Sequence, residues 1–290
     1  KILGTGGATR KLESQLCRDE RPFLMLNGDS ILGADLPALW SAHQSNRAEG
    51  ALATLLCLPR ADAENYGAVW VDDSGRILDL AGVGRAPGVT DDDLRAATPC
   101  IFCGIQIIEQ QVVLQLPPNG TESCIVRQGY GPLIEKGLTV KAHLADNNLL
   151  FHDVGTPSRY LDAQNELMAG PSRRVLATGP NVDPLEALFQ EASYAVDSSG
   201  REYGNPDSVI GLSGARIEPP VFFGPRNELS TGCVVGPYAS LGALNKLGAK
   251  ARVQDAALWS RVELESGASM YGEIAAYLGD KLLRLGGREN

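Results

Sequence analysis

From Ile217 onward a large apolar residue returns at every sixth position: Ile217, Phe223, Leu229, Val235, Leu241, Leu247, Val253 and Trp259. Neither an α-helix, with about 3.6 residues per turn, nor a strand, with its period of two, produces that spacing. A parallel β-helix does, because each hexad forms one flat side of a triangular coil with the large residue inside. Glycine follows at Gly224, Gly236, Gly242 and Gly248. The residue two before is small at Ala215, Cys233, Ala239, Ala251 and Ala257, where the chain must turn. The 33 glycines and the low aromatic content of 6% fit a chain with many tight turns. Beyond Trp259 the register is expected to slip by one, through Leu264 and Met270. The expected β-helix occupies residues 209–290.

Residues 1–168 have a different texture. Short apolar runs alternate with helical patterns, which is the signature of an α/β sheet domain. Phe23–Leu26, Ala51–Leu58, Ala68–Val71, Arg76–Leu80 and Ile101–Ile108 read as strands. Asp35 and Pro37 start a helix with Leu36, Leu39, Trp40 and His43 on one face. Thr139–Ala145 and Leu149–His152 read as a strand pair, and Thr156-Pro157 as the cap of a further helix. Residues 169–208 read as a connector broken by Gly170-Pro171 and Gly179-Pro180, with one short helix over Leu185–Ala195 ended by Ser198-Ser199-Gly200.

The formal net charge of -9 argues against nucleic acid as a main partner, since a phosphate backbone calls for a basic face. No apolar run approaches the roughly twenty residues of a bilayer span. The six cysteines are scattered in apolar surroundings, which points to a reduced, cytoplasmic protein rather than a disulfide scaffold.

Three segments carry candidate chemistry. Leu26-Asn27-Gly28-Asp29 ends a buried strand where α/β sheets bind ligands, and its glycine leaves room beside the backbone. Asp29 reads either as a ligand of Mg²⁺, a hard cation that prefers oxygen, or as a plain turn residue. Phe151-His152-Asp153-Val154-Gly155-Thr156-Pro157 repeats the pattern, with helix amides following that suit phosphate. Asp153 reads either as a second ligand or as a turn cap. Two such carboxylates on one metal would neutralise charge on a phosphoryl group in transfer. Leu3-Gly4-Thr5-Gly6-Gly7-Ala8 is a glycine loop without the Lys-Ser/Thr of a Walker sequence.

Together with Tyr66-Gly67-Ala68-Val69, Phe102-Cys103-Gly104-Ile105 and Tyr160-Leu161, these segments stand in the order seen in sugar-1-phosphate nucleotidyltransferases. The chain resembles the NDP-sugar pyrophosphorylases over nearly its whole length, and looks most like their mannose-1-phosphate guanylyltransferase branch. The resemblance implies a Rossmann-like α/β domain followed by a left-handed parallel β-helix. It implies that Asp29 and Asp153 bind the catalytic Mg²⁺, and that Gly4, Thr5, Gly6, Gly7, Asn27 and Gly28 lie along the nucleotide. Tyr66, Gly67 and Gly104 would lie along the sugar. The implied reaction is attack of a sugar-1-phosphate oxygen on the α-phosphate of an NTP, with GTP favoured, releasing pyrophosphate by positioning and charge neutralisation.

The family's G-x-G-T-R-L…P-K signature is absent. Gly6-Gly7-Ala8-Thr9-Arg10 lies too close to Asp29 to be that signature, so the chain reads as lacking the first strand and its loop. A Glu-Lys-Pro contact is missing as well, and Arg85 is the cation nearest to replacing it. A non-catalytic nucleotide-sugar-binding or regulatory subunit is therefore the rival expectation. A hexapeptide-repeat acyltransferase would need a histidine in the coils, and none of the three histidines lies beyond residue 152. The β-helix is expected to serve homo-oligomer assembly through its flat sides and ends.

Other features read as structural. Cys100 and Cys103 read as buried thiols, His43 as packed, and His143 as solvent-facing or capping a neighbour. His152 should point away from the site. Asp91-Asp92-Asp93 reads as a solvated loop, Arg173-Arg174 as surface charge, and Glu122-Ser123 as a helix cap, for which the resemblance implies the alternative of a sugar contact.

Overall fold

The computed structural model describes residues 1–19, 21–146, 149–169 and 193–286. In chain order it begins α1 (Gly4–Lys11), α2 (Glu13–Leu16), β1 (Phe23–Leu26), β2 (Ser30–Leu32), α3 (Leu36–Ala48), β3 (Ala53–Pro59), β4 (Val69–Val71) and β5 (Ile77–Leu80). It continues with α4 (Asp91–Ala96), β6 (Thr98–Ile108), α5 (Gln110–Gln115), α6 (Gly131–Glu135), β7 (Val140–Leu144), β8 (Phe151–Asp153) and α7 (Pro157–Ala169). Two compact units result: Lys1–Gly28 with Ala34–Leu149, and Asp29–Gly33 with Leu150–Asn290.

In the first unit one mixed sheet runs β5-β4-β6-β3-β7, with β1 also on β6. Strands β3 and β7 run parallel, while β6 meets β1, β3 and β4 antiparallel. The near-continuous apolar runs of β3 and β6 are buried along almost their full length, as strands covered on both faces must be. Helix α3 starts where the Asp35 carboxylate accepts the Ala38 amide at 2.9 Å, with Pro37 in its first turn. Its buried face is narrower than the sequence pattern predicts: Leu39 and His43 are inside, Leu36 and Trp40 outside. His43 closes a buried network, with Nδ1 3.0 Å from Thr54 Oγ1 and Nε2 3.2 Å from Glu109 Oε1. Burial lowers its imidazole pKa, and the Glu109 hydrogen bond opposes that.

Three local expectations are corrected. Asp91-Asp92-Asp93 is the first turn of α4, not a loop: Thr90 and Asp93 form a capping box, and acidic groups favour a helix N-terminus. Strands β7 and β8 do not pair with each other; β7 lies on β3 and β8 on β2. Tyr194–Val196 is a strand in a hairpin with Glu202–Gly204, and Ser198-Ser199-Gly200 is its turn rather than a helix end. The turn is held by the Asp197 carboxylate, which accepts the amides of Ser199 and Arg201 and the Ser199 hydroxyl. The rest of the expected helix (185–192) and Arg173-Arg174 lie outside the described residues.

The second unit is dominated by a parallel β-helix of three sheets. Large residues fill its interior at Phe223, Leu229, Val235, Leu241, Leu247 and Val253, as the hexads require. Trp259 breaks the expectation: it is 53% exposed, and Leu258 takes the interior place at 1%. The slip therefore comes one hexad earlier than the sequence pattern suggests. Corners in the left-handed region stand six residues apart at Gly232, Tyr238, Leu244 and Lys250, but the next falls at Asp255, only five on. Pairing records the same step. Val221 pairs with Ala239 eighteen residues on, whereas Ala239 pairs with Ala256, seventeen on.

One corner departs from the small-residue pattern. Asn227 and Asn245 are fully buried and stacked, with Asn245 Nδ2 donating to Asn227 Oδ1 at 2.9 Å. Asn245 Oδ1 in turn accepts the Val262 amide at 2.8 Å. Buried amides are tolerated because these donors and acceptors find partners in the adjacent coil.

Helix α7 lies on the outside of one sheet. Its Leu161 is buried against Ala257 and Ile274, and Gln164 Nε2 donates to the carbonyls of Tyr238 and Ala256 at 3.2 and 3.3 Å.

Candidate functional site

Asp29 and Asp153 come together in the second unit. Ser30 pairs with Asp153 in the β2–β8 ladder, and the Val154 amide donates to the Asp29 carbonyl at 2.9 Å. Asp29 and Asp153, 124 positions apart in the chain, become immediate neighbours through this short antiparallel pair. Asp29 stands in the turn just before the ladder, so strand alternation does not dictate its direction. The Asp153 carboxylate accepts the Gly155 amide through Oδ1 at 3.2 Å and Arg159 Nη1 through Oδ2 at 2.5 Å. His152 turns to Glu166, with Nε2 3.0 Å from its carboxylate, consistent with alternation away from Asp153. Among the described residues, no group of three or more His, Cys, Asp or Glu gathers as a metal cluster. Two carboxylates without nitrogen or sulfur ligands suit Mg²⁺, which usually completes its shell with substrate phosphates and water.

In the first unit, Asn27 and Gly104 meet. Between Leu55 and Cys57 the β3–β6 register shifts, and β6 carries the extra residues. Gly104 sits in this bulge with φ +75°, and its carbonyl accepts the Asn27 amide at 2.9 Å. A Cβ at Gly104 would lie 2.8 Å from Asn27 Nδ2. Gly104→Ala is thus expected to cost about 1–2 kcal/mol and to displace the Asn27 side chain. A thermal melt with binding measurements checks both; an unchanged melt removes the bulge argument. Gly28 has open space around it.

Tyr66 ends a single 3₁₀ turn and is 55% exposed, with the Arg60 guanidinium 5.2 Å above its ring. Gly67 terminates that turn at φ +85°, a conformation that favours glycine. Arg85 is occupied by two carboxylates, Asp79 at 3.2 Å and Asp91 at 2.8 Å. The Ala81–Arg85 segment is pinned by a contact that sequence reasoning missed. A Cβ at Gly131 would lie 2.4 Å from the Val83 carbonyl oxygen, so backbone meets backbone there. No spacing rule signals such a pair.

Gly4–Gly7 is corrected from a loop to the first turn of α1. The amides of Gly6 and Gly7 donate to the Ser123 carbonyl at 2.8 and 3.2 Å, and Thr5 Oγ1 accepts the Ile125 amide at 3.0 Å. These glycines let the helix end touch a backbone: a Cβ on Gly7 would lie 2.4 Å from the Thr121 carbonyl oxygen. Ser123 is therefore a backbone partner of the helix end. A π-helical turn follows at Ile125–Tyr130.

The cysteines carry no visible chemistry. Cys57, Cys100, Cys103 and Cys233 are buried, and burial pushes the Cys100 thiol up to about 11 and Cys103 to about 12. A thiol reagent at neutral pH is expected to label Cys17 and Cys124 in the folded chain and all six only after denaturation. Rapid native labelling of Cys100 or Cys103, read by peptide mass, would contradict this.

A nucleotidyl transferase family model matches residues 1–82. The UTP--glucose-1-phosphate uridylyltransferase of Synechocystis is 26% identical over 283 residues, 95% of this chain and 69% of that protein. The mannose-1-phosphate guanylyltransferase of Mycobacterium tuberculosis is 27% identical over 229 residues, 74% of this chain and 58% of its own length. The glucose-1-phosphate adenylyltransferase of Methylobacillus flagellatus is 24% identical over 219 residues, 69% of this chain and half of that protein. The chain thus spans between half and about two thirds of these relatives. The family model and the relatives point the same way, and the chain is similar to sugar-1-phosphate nucleotidyltransferases.

Proposed function

We propose that the chain takes part in transfer of a nucleotidyl group from an NTP to a sugar-1-phosphate, giving an NDP-sugar and pyrophosphate. The observation that carries this reading is the β2–β8 pairing, which makes Asp29 and Asp153 neighbours. In this reading the two carboxylates hold Mg²⁺, and the bound cation offsets charge on the phosphates. The protein's part is positioning. In this reading Asn27, tied to the Gly104 bulge, serves the nucleotide, and Tyr66, with its exposed ring, serves the sugar together with Gly67. Gly4, Thr5, Gly6, Gly7 and Gly28 belong to the nucleotide side in the same reading. Two of their amides are already bonded to the Ser123 carbonyl, and Gly4, Gly6 and Gly7 pack against the 121–125 backbone, so of these glycines Gly28 is the one with open space for a ligand.

GTP with mannose-1-phosphate is the first substrate pair in this reading. The names of the relatives span uridylyl, guanylyl and adenylyl transfer, so the test crosses GTP, UTP, dTTP and ATP with several sugar-1-phosphates and follows pyrophosphate release. Mg²⁺-dependent release supports the reading. Nucleotide-sugar binding without release favours a non-catalytic binding or regulatory subunit.

A cytoplasmic setting belongs to the same proposal, supported by six free cysteines; among the described residues no helix is long and apolar enough to cross a membrane. So does self-association through the β-helix. Its terminal hairpin, Glu273–Leu278 with Lys281–Gly286, ends a sheet and exposes Leu278 and Leu285. A strictly monomeric mass by light scattering counts against it.

A further inference from the structure

We propose that Arg159 is a positioning residue: it occupies the Asp153 carboxylate as a resident counter-cation, which an incoming divalent cation must displace. The inference rests on the reading of Asp153 as a cation ligand. Helix α7 fixes the arginine near its start. The Thr156 hydroxyl oxygen accepts the Arg159 amide at 3.3 Å, one turn into the sequence that follows Asp153. From there the guanidinium reaches back six residues and places Nη1 2.5 Å from Asp153 Oδ2. The other oxygen, Oδ1, accepts the Gly155 amide at 3.2 Å. Both oxygens of the carboxylate thus have a partner in the free chain.

Of the two partners, the amide is neutral and can stay while a metal binds. The guanidinium opposes the metal, because its positive charge would face a divalent ion across one oxygen. His152 does not enter this competition, since its Nε2 lies toward Glu166, 3.0 Å from that carboxylate. Neither member of the pair is deeply buried: both side chains are 46% exposed. Exposed ion pairs are weak, so the arginine should hinder the cation by only about two- to fivefold rather than exclude it. A competitor of that strength disfavours the bare ion. It gives way to a cation that arrives with a nucleotide, whose phosphates supply the displaced guanidinium with a new anionic partner. The expected ligand class is therefore a divalent cation–nucleotide complex.

The test is Mn²⁺ binding to the whole chain, with free Mn²⁺ counted by electron paramagnetic resonance in the absence of nucleotide. Wild type, Arg159→Gln, Arg159→Lys and Asp153→Asn are compared after thermal melts show that each is folded. Arg159→Gln is expected to bind Mn²⁺ about two- to fivefold more tightly than wild type, Arg159→Lys to stay near wild type, and Asp153→Asn to bind more weakly. Unchanged or weaker binding by Arg159→Gln, with Asp153→Asn still impaired, overturns the arginine's role and leaves Asp153 as a ligand. Unchanged binding by Asp153→Asn removes the carboxylate from the metal and takes both readings down.

Discussion

Asp153→Asn is expected to lower nucleotidyl transfer by about 100-fold or more while moving the melting temperature by only a few degrees. The two effects separate because they draw on different physics. Preorganised charge at a reacting phosphate contributes on the order of 10²–10³ in rate, and an amide has no net charge to offer the cation. The folded state loses much less. The carboxylate's partners are the Gly155 amide and a half-exposed Arg159, and exposed pairs contribute about 0–1 kcal/mol. Asp29→Asn should behave alike, since the Asp29 carbonyl that accepts the Val154 amide is untouched by the change. Pyrophosphate release and circular-dichroism melts on the same preparations check both arms. Full activity in either variant removes that residue from the metal role.

Phe223→Ala is expected to cost about 3–5 kcal/mol, enough to threaten the whole solenoid. Phe223 is fully buried, its ring 6.3 Å from that of Tyr194, and it pairs with Leu241 of the next coil. Interiors of this kind have no slack to collapse, because each coil is tied to its neighbours by backbone pairing. Trp259→Ala is the informative control. The hexad pattern in the sequence ranks the two positions as equals, whereas the exposed Trp259 should cost less than about 1 kcal/mol. Urea titrations of both variants decide it, and equal midpoints would contradict the observed register.

The sequence was most legible where one physical rule acts alone. Interior filling at six-residue intervals exposed the coil through Val253, because nothing else in a protein selects that spacing. It failed at Trp259, because the cause of the slip is a backbone corner at Asp255, and dihedral angles leave little mark on hydropathy. It failed again at Asp91-Asp92-Asp93, where charge suggested solvent and helix capping prevailed. That Asp29 and Asp153 belong to one site was an expectation from strand ends and family order; the local spelling alone left each as a turn residue, and what the fold shows is that their segments adjoin, Ser30 pairing with Asp153. Arg159 and Gly131 were invisible for another reason. Their partners, Asp153 and Val83, are set by how segments fold back, not by any periodicity.

The change from eighteen to seventeen residues per coil makes the solenoid non-modular. Upstream of Val253 a duplicated coil must be eighteen residues long to restore every pairing; downstream it must be seventeen. A coil copied across that seam would rotate the outward faces by one position and turn Ala257 away from Leu161. Lineages that lengthen or shorten this tail, and engineers who splice it, can therefore do so freely on either side of the seam but not through it.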